Sequence, residues 1–212
     1  MMVAKKICVL AFIFVIVNTG FSQNEKSMSP EQRQAMEDYA RISALNENHE
    51  FLKKFEGEWK VSSKAWMMPG QDPIITGDNV KGEMILGGRF LMWRYQGTVF
   101  GQVYEYLQII GYDNFQKKYV TFWIDNTSTA FYMLEGTREG NVITDTGLWP
   151  DPVTGRLGKV RNVIKFIGPD EFIDELFMTG QDGKEFKSLE NHFTRGAGTP
   201  SVEAHAVDHR IP

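Results

Sequence analysis

The side chains that carry most enzyme chemistry are scarce in this 212-residue chain. Its one cysteine, Cys8, sits in an apolar N-terminal run. Histidine occurs four times, at positions 49, 192, 205 and 209. His205 and His209 have the i,i+4 spacing that puts two imidazoles on one helical face, with Asp208 beside them, and such a pair can hold a divalent metal. They lie in a Gly/Pro-flanked stretch without helical periodicity, where the pair reads as solvated. No Gly-x-Ser-x-Gly elbow occurs, and Gly87-Gly88 is followed by neither Lys-Ser/Thr nor a helix, so it reads as a turn. Glu139, Asp145 and Asp151 stand near glycines and read as turn acids, since the alternating ligand series of a calcium loop is missing. What remains is a set of residues placed singly in apolar, strand-like runs: Arg94, Tyr106, Trp123, Asp125, Glu135, Asn162 and Glu175. In a lined cavity they would orient a small ligand. Asp125, Glu135 or Glu175, if trapped among apolar neighbours, would have a raised pKa and could act as general acid or base. The same residues could equally pair within a filled core or face solvent.

The elements that must position them are strands. Ser29-Pro30-Glu31 is a helix start, with a hydroxyl cap, a proline in the first turn and an acid near the positive end of the dipole. Met36, Tyr39 and Ile42 follow at helical spacing, and a second helical piece over 46–55 carries Phe51, Leu52 and Phe55. From Gly57 onward the pattern shifts to short apolar runs broken by turn residues such as Asp113-Asn114, Gly168-Pro169-Asp170 and Gln181-Asp182-Gly183. The runs predict strands over 59–66, 79–86, 90–97, 102–112, 118–125, 130–136, 142–149, 159–167, 171–178 and 185–195. About ten consecutive strands at hairpin spacing, with no helix between them, imply a mainly β chain. The predicted fold is one closed antiparallel up-and-down barrel, which removes the exposed edges of a long meander, preceded by a helical segment. Along 159–167, Arg161 and Lys165 share one face, so Val160, Asn162, Ile164 and Phe166 should look inward. On the strand ending at Asp125, either Trp123 and Asp125 or Phe122 and Ile124 face in.

Residues 1–22 read as a secretory signal: Lys5 and Lys6, an apolar run over 7–17, then Gly20-Phe21-Ser22 before a cut ahead of Gln23. The run is too short for a stable membrane span. Removal takes Cys8 with it, leaving no disulfide and no thiol chemistry. The formal charge of −4 then becomes −6, with 21 basic and 27 acidic residues. No basic block is present, which argues against nucleic-acid binding. The expected order is signal peptide 1–22, linker and helices 23–56, barrel 57–195 and tail 196–212. The expected address is a bacterial periplasm or the extracellular space.

Gly57-Glu58-Trp59 opens the first strand and Phe193-Thr194-Arg195 closes the last. This pairing resembles the calycin superfamily of lipocalins, fatty-acid-binding proteins and their relatives. There the indole of a Gly-x-Trp plugs the narrow end of the barrel beneath a late basic residue, which covers the ring through cation–π attraction. A closer resemblance, from about residue 51 to 195, is to the bacterial family of domain of unknown function 1579. It is carried by Phe55-Glu56-Gly57-Glu58-Trp59, Leu86-Gly87-Gly88-Arg89-Phe90-Leu91, Gly111-Tyr112-Asp113, Phe122-Trp123-Ile124-Asp125, Asp151-Pro152-x-Thr154-Gly155 and Phe193-Thr194-Arg195. The resemblance implies a calycin-like barrel in exported proteins without an assigned reaction. His192 is placed similarly to the late haem ligand of nitrobindin, a related barrel, but its strand parity is opposite to that of Leu189 and Phe193 and turns it to solvent. No cofactor is assigned. The leading expectation is an exported barrel that holds a small hydrophobic or amphipathic molecule. An enzyme using lumen carboxylates, a haem-binding barrel and a structural protein with a filled core are its rivals.

Overall fold

A computed structural model describes residues 28–99, 101–151, 155–180 and 182–196. The predicted signal segment, and His205 and His209 with the tail around them, lie outside the described residues. The chain divides at residue 43 into two compact units. In the first, α1 (Pro30–Ser43) starts as its sequence predicts. The Ser29 hydroxyl accepts from the Gln32 amide at 3.3 Å, and the Gln32 side chain accepts from the Ser29 amide at 2.8 Å. That reciprocal pair satisfies two N–H groups that a helix start leaves without partners. No residue of α1 is buried.

The second unit begins with α2 (Glu47–Lys53), also capped reciprocally. Asn46 Oδ1 accepts from the Asn48 amide at 2.9 Å, and the Asn46 amide donates to His49 Nδ1 at 3.1 Å. His49 is buried in this role, and burial, aided by the charge of Arg89, holds its pKa below the usual imidazole value. Ten strands follow: β1 (Gly57–Ala65), β2 (Ile74–Ile85), β3 (Phe90–Val99), β4 (Gln102–Asp113), β5 (Lys118–Asp125), β6 (Tyr132–Glu139), β7 (Val142–Asp151), β8 (Arg156–Gly168), β9 (Glu171–Thr179) and β10 (Glu185–Arg195). Each pairs antiparallel with its sequence neighbour, and β10 returns to β1, so the sheet closes. β2 begins at Ile74, earlier than the predicted 79, because it pairs with β1 as far as Ala65. Gly77-Asp78 has the composition of a turn but continues the ladder.

One end of the barrel is filled. Phe51 and Leu52 of α2, with Phe55, pack on Trp59, Trp93, Phe172 and Phe193, and all are buried. Trp59 donates its indole N–H to the Phe55 carbonyl at 3.0 Å, so the plug leaves no polar atom stranded. The predicted closure is present: the Arg195 guanidinium lies 3.8 Å from the Trp59 ring centroid. It also donates to the carbonyls of Pro169 at 2.8 Å, Lys54 at 3.1 Å and Glu56. Gly57 makes room for it. A Cβ there would come within 2.5 Å of Arg195 Nη1, and its φ of +116° is one L residues rarely adopt.

Candidate functional site

Side chains alternate in and out along every strand. The inward set of β5 is Tyr119, Thr121, Trp123 and Asp125; that of β4 runs through Tyr104, Tyr106 and Gln108. Tyr119 belongs to the apolar plug; above it the others surround a cavity of about 360 Å³, within the range of small-molecule sites. Its walls are aromatic. Tyr106 stacks on Trp123 with ring centroids 4.3 Å apart and on Tyr95 at 5.3 Å, and Tyr132 packs on Trp149 at 4.8 Å. Tyr95 donates to Asp78 Oδ2 at 2.9 Å, passing over Gly97, where a Cβ would sit 2.2 Å from the phenol oxygen. Burial together with that bond lifts the Tyr95 phenol to about 12. Burial also pushes the Tyr104 and Tyr106 phenols far above their ordinary value, helped by Asp125 and Asp174 respectively. All three remain neutral hydroxyls.

Between plug and cavity lies a polar belt made of Gln108, Thr121, Asp145, Asn162, Asp174 and Asn191. Asp145 is fully buried and accepts from the Thr121 hydroxyl at 2.6 Å. Burial raises its pKa to about 6, against the pull of hydrogen bonds from Thr121 and Asn162. Asp174 borders the cavity and so keeps some accessible surface, but it stands deep in the barrel, away from bulk water. That depth governs its ionisation. Burial first, then the nearby charges of Asp145 and Glu175, raise Asp174 to about 7, with Asn162 and Asn191 opposing. Asp145 Oδ1 and Asp174 Oδ1 are buried without a hydrogen-bond partner in the protein, as is Trp149 Nε1, four residues farther along β7 from Asp145.

Four sequence candidates, Tyr106, Trp123, Asp125 and Asn162, line this cavity. Trp123 and Asp125 are the inward pair of β5, joined by an indole N–H donated to Asp125 Oδ2 at 3.1 Å. Three candidates point outward and correct the sequence reading. Arg94 is exposed because Trp93 and Tyr95 take the inward positions beside it. Glu135 follows the inward Leu134 and pairs with Lys118 at 2.9 Å on the outer wall. Glu175 is buried, but on the outer wall, clamped by Lys165 and Lys187. Burial alone would raise its pKa, and the two ammonium groups outweigh it, so the value falls below the usual carboxylate range. Asp145, read from sequence as a turn acid, is the most enclosed charge-bearing group of the interior. His192 points outward, as its parity predicts, with Nε2 2.7 Å from Glu171 Oε1, and among the described residues no histidine lines the cavity.

Residues 44–195, the whole barrel with α2, match the model of the family described as Protein of unknown function (DUF1579). The chain belongs to this family. In this DUF1579 member the fold is a closed ten-strand antiparallel barrel, in line with a calycin-like architecture. No curated protein matches the chain. Among solved structures it is similar to a redesigned beta barrel, at 12% identity and a TM-score of 0.38, over 68% of this chain and 94% of that one.

Proposed function

We propose that this DUF1579 barrel is an exported binding protein for a small hydrophobic or amphipathic molecule. One observation carries the reading: the barrel is filled at the Trp59 end and hollow beyond the polar belt, and the hollow part is walled by tyrosine and tryptophan. Each methylene buried against such a wall contributes about 0.8 kcal/mol, so a ligand of modest size reaches micromolar affinity by burial alone. The polar belt supplies orientation. The sequence of residues 1–22 supports export.

Native mass spectrometry of protein taken from its own host compartment tests this. The expected spectrum contains a bound mass that is lost when Ala65, on the cavity wall, is replaced by Trp. Protein that carries nothing, and binds nothing from a panel of amphiphiles, would overturn the proposal.

A second reading rests on Asp145 and Asp174, whose pKa values near neutrality suit general acid–base work. It requires turnover of a bound molecule that Asp174→Asn abolishes without reducing binding.

A further inference from the structure

We propose that the ligand is an amine on a hydrophobic body, with its ammonium group seated at the Asp174 end of the cavity beside Tyr106. The inference rests on the binding reading above and deepens it to a chemical class.

The charge of the wall is the first ground. Asp78, Asp125 and Asp174 line the cavity, Asp145 is enclosed next to Asp174, and among the described residues no Lys, Arg or His lines it. A ligand with a carboxylate head would meet like charge in a low-dielectric interior, which is strongly unfavourable. Hydrogen-bond balance is the second. Near the mouth Asp78 is engaged by Tyr95 and Asp125 by Trp123 and Thr127. The deeper pair is short of donors: Asp145 Oδ1 and Asp174 Oδ1 have no partner in the protein, although Asp145 is fully buried. A buried acceptor without a donor costs about 1–3 kcal/mol, and an ammonium brings three donors and the compensating charge. The third ground is the wall itself. Tyr95, Tyr106 and Trp123, stacked in a row along the cavity, form an aromatic wall that suits an extended apolar body.

The groups that set the charge of Asp174 are Asp145 from β7, Asn162 from β8, Asn191 from β10, Tyr106 from β4 and Glu175 on its own strand. None is a cation. The Lys165 and Lys187 ammonium groups are committed to Glu175 on the outer wall. An entering ammonium is therefore the counter-ion this carboxylate lacks, and its arrival favours the ionised form.

The test compares octylamine, octanol and octanoate by isothermal titration calorimetry on the full chain at pH 8. Octylamine should bind at least about tenfold more tightly than octanol, and octanoate should bind weakest. Asp174→Asn should bring octylamine down to the octanol value while leaving octanol unchanged. Asp145→Asn serves as the second variant and should weaken octylamine alone. Equal affinity for octylamine and octanol, or preference for octanoate, overturns the amine assignment and leaves the binding proposal standing. Failure of all three to bind overturns both.

Discussion

Replacing Asp174 by Asn should change the pH dependence of stability in a direction opposite to ordinary acid denaturation. A carboxyl whose folded pKa lies above its unfolded value binds more protons in the folded state, so stability rises as pH falls through the folded pKa. Asp174 sits at about 7 and Asp145 at about 6, against an ordinary value of 3.8. Every tenfold difference in proton affinity between folded and unfolded chain is worth about 1.4 kcal/mol, so between pH 8 and pH 5 Asp174 alone should return about 2–3 kcal/mol. Other groups oppose this. Burial and Arg89 lower the His49 pKa, so the unfolded chain gains a proton there as pH drops below its ordinary value and stability is lost. Glu175, Glu185 and Glu190, held low by their ion pairs, lose stability at still lower pH. His49, Glu185 and Glu190 contribute alike to parent and variant, whereas Asp145 and Glu175 are coupled to Asp174 through its charge, so the difference between the two reports Asp174 together with that coupling. Urea unfolding of both at pH 5, 6.5 and 8 should show Asp174→Asn more stable than the parent at pH 8, with the gap narrowing by about 2–3 kcal/mol at pH 5. A gap independent of pH would show that Asp174 is ionised throughout, and the description of a water-poor polar belt would be wrong.

Three further outcomes follow from the same geometry. Arg195→Ala removes the group over Trp59 and donors to three carbonyls and should cost about 2 kcal/mol, seen as a lowered midpoint in urea; Arg195→Lys should recover only part, since an ammonium cannot reproduce the planar fork. Trp123→Ala opens the stacked wall beside Tyr106 and should weaken octylamine binding about tenfold with near-native circular dichroism, whereas unchanged affinity would remove Trp123 from the site. Glu175→Gln removes the anion between Lys165 and Lys187 on the outer wall, leaving Lys187 only Glu190, and should lower the thermal midpoint, whereas an unchanged midpoint would show that the clamp adds nothing to stability.

The architecture is legible in the sequence because closure depends on few, conspicuous residues. Trp59 and Arg195 announce both ends of the sheet, and the hairpin turns between them set strand number and direction. The facing of individual side chains is legible only where one face is apolar and the other charged. On β8, Arg161 and Lys165 mark the outside, and Asn162 duly lines the cavity. On β6 the outer face carries Met133, beside the exposed Phe131, so parity is hidden and Glu135 looks as eligible for the interior as Leu134. On β9 the acids Asp174 and Glu175 are adjacent, and Ile173 and Phe177 make the outer face nearly as apolar as the inner. Phe177 is covered from outside by Arg161, 4.0 Å from its ring. One acid of that pair has to face in, and only pairing across the sheet decides which. Asp145 escapes a reading by composition because its Thr and Gly neighbours are those of a turn. Its signal is register: it stands two residues from Ile143, which is fully buried.

The guanidinium of residue 195 reaches carbonyls contributed 139 and 141 positions earlier in the chain. Every other neighbouring pair of strands can zip up as soon as its second member exists, since each is a local hairpin. This last seam cannot. Until the final strand is available the polypeptide is an unfinished ribbon with two bare margins, open to misassociation, and assembly waits on one long-range encounter. Truncation that removes Phe193-Thr194-Arg195 should therefore do more damage than loss of any single loop.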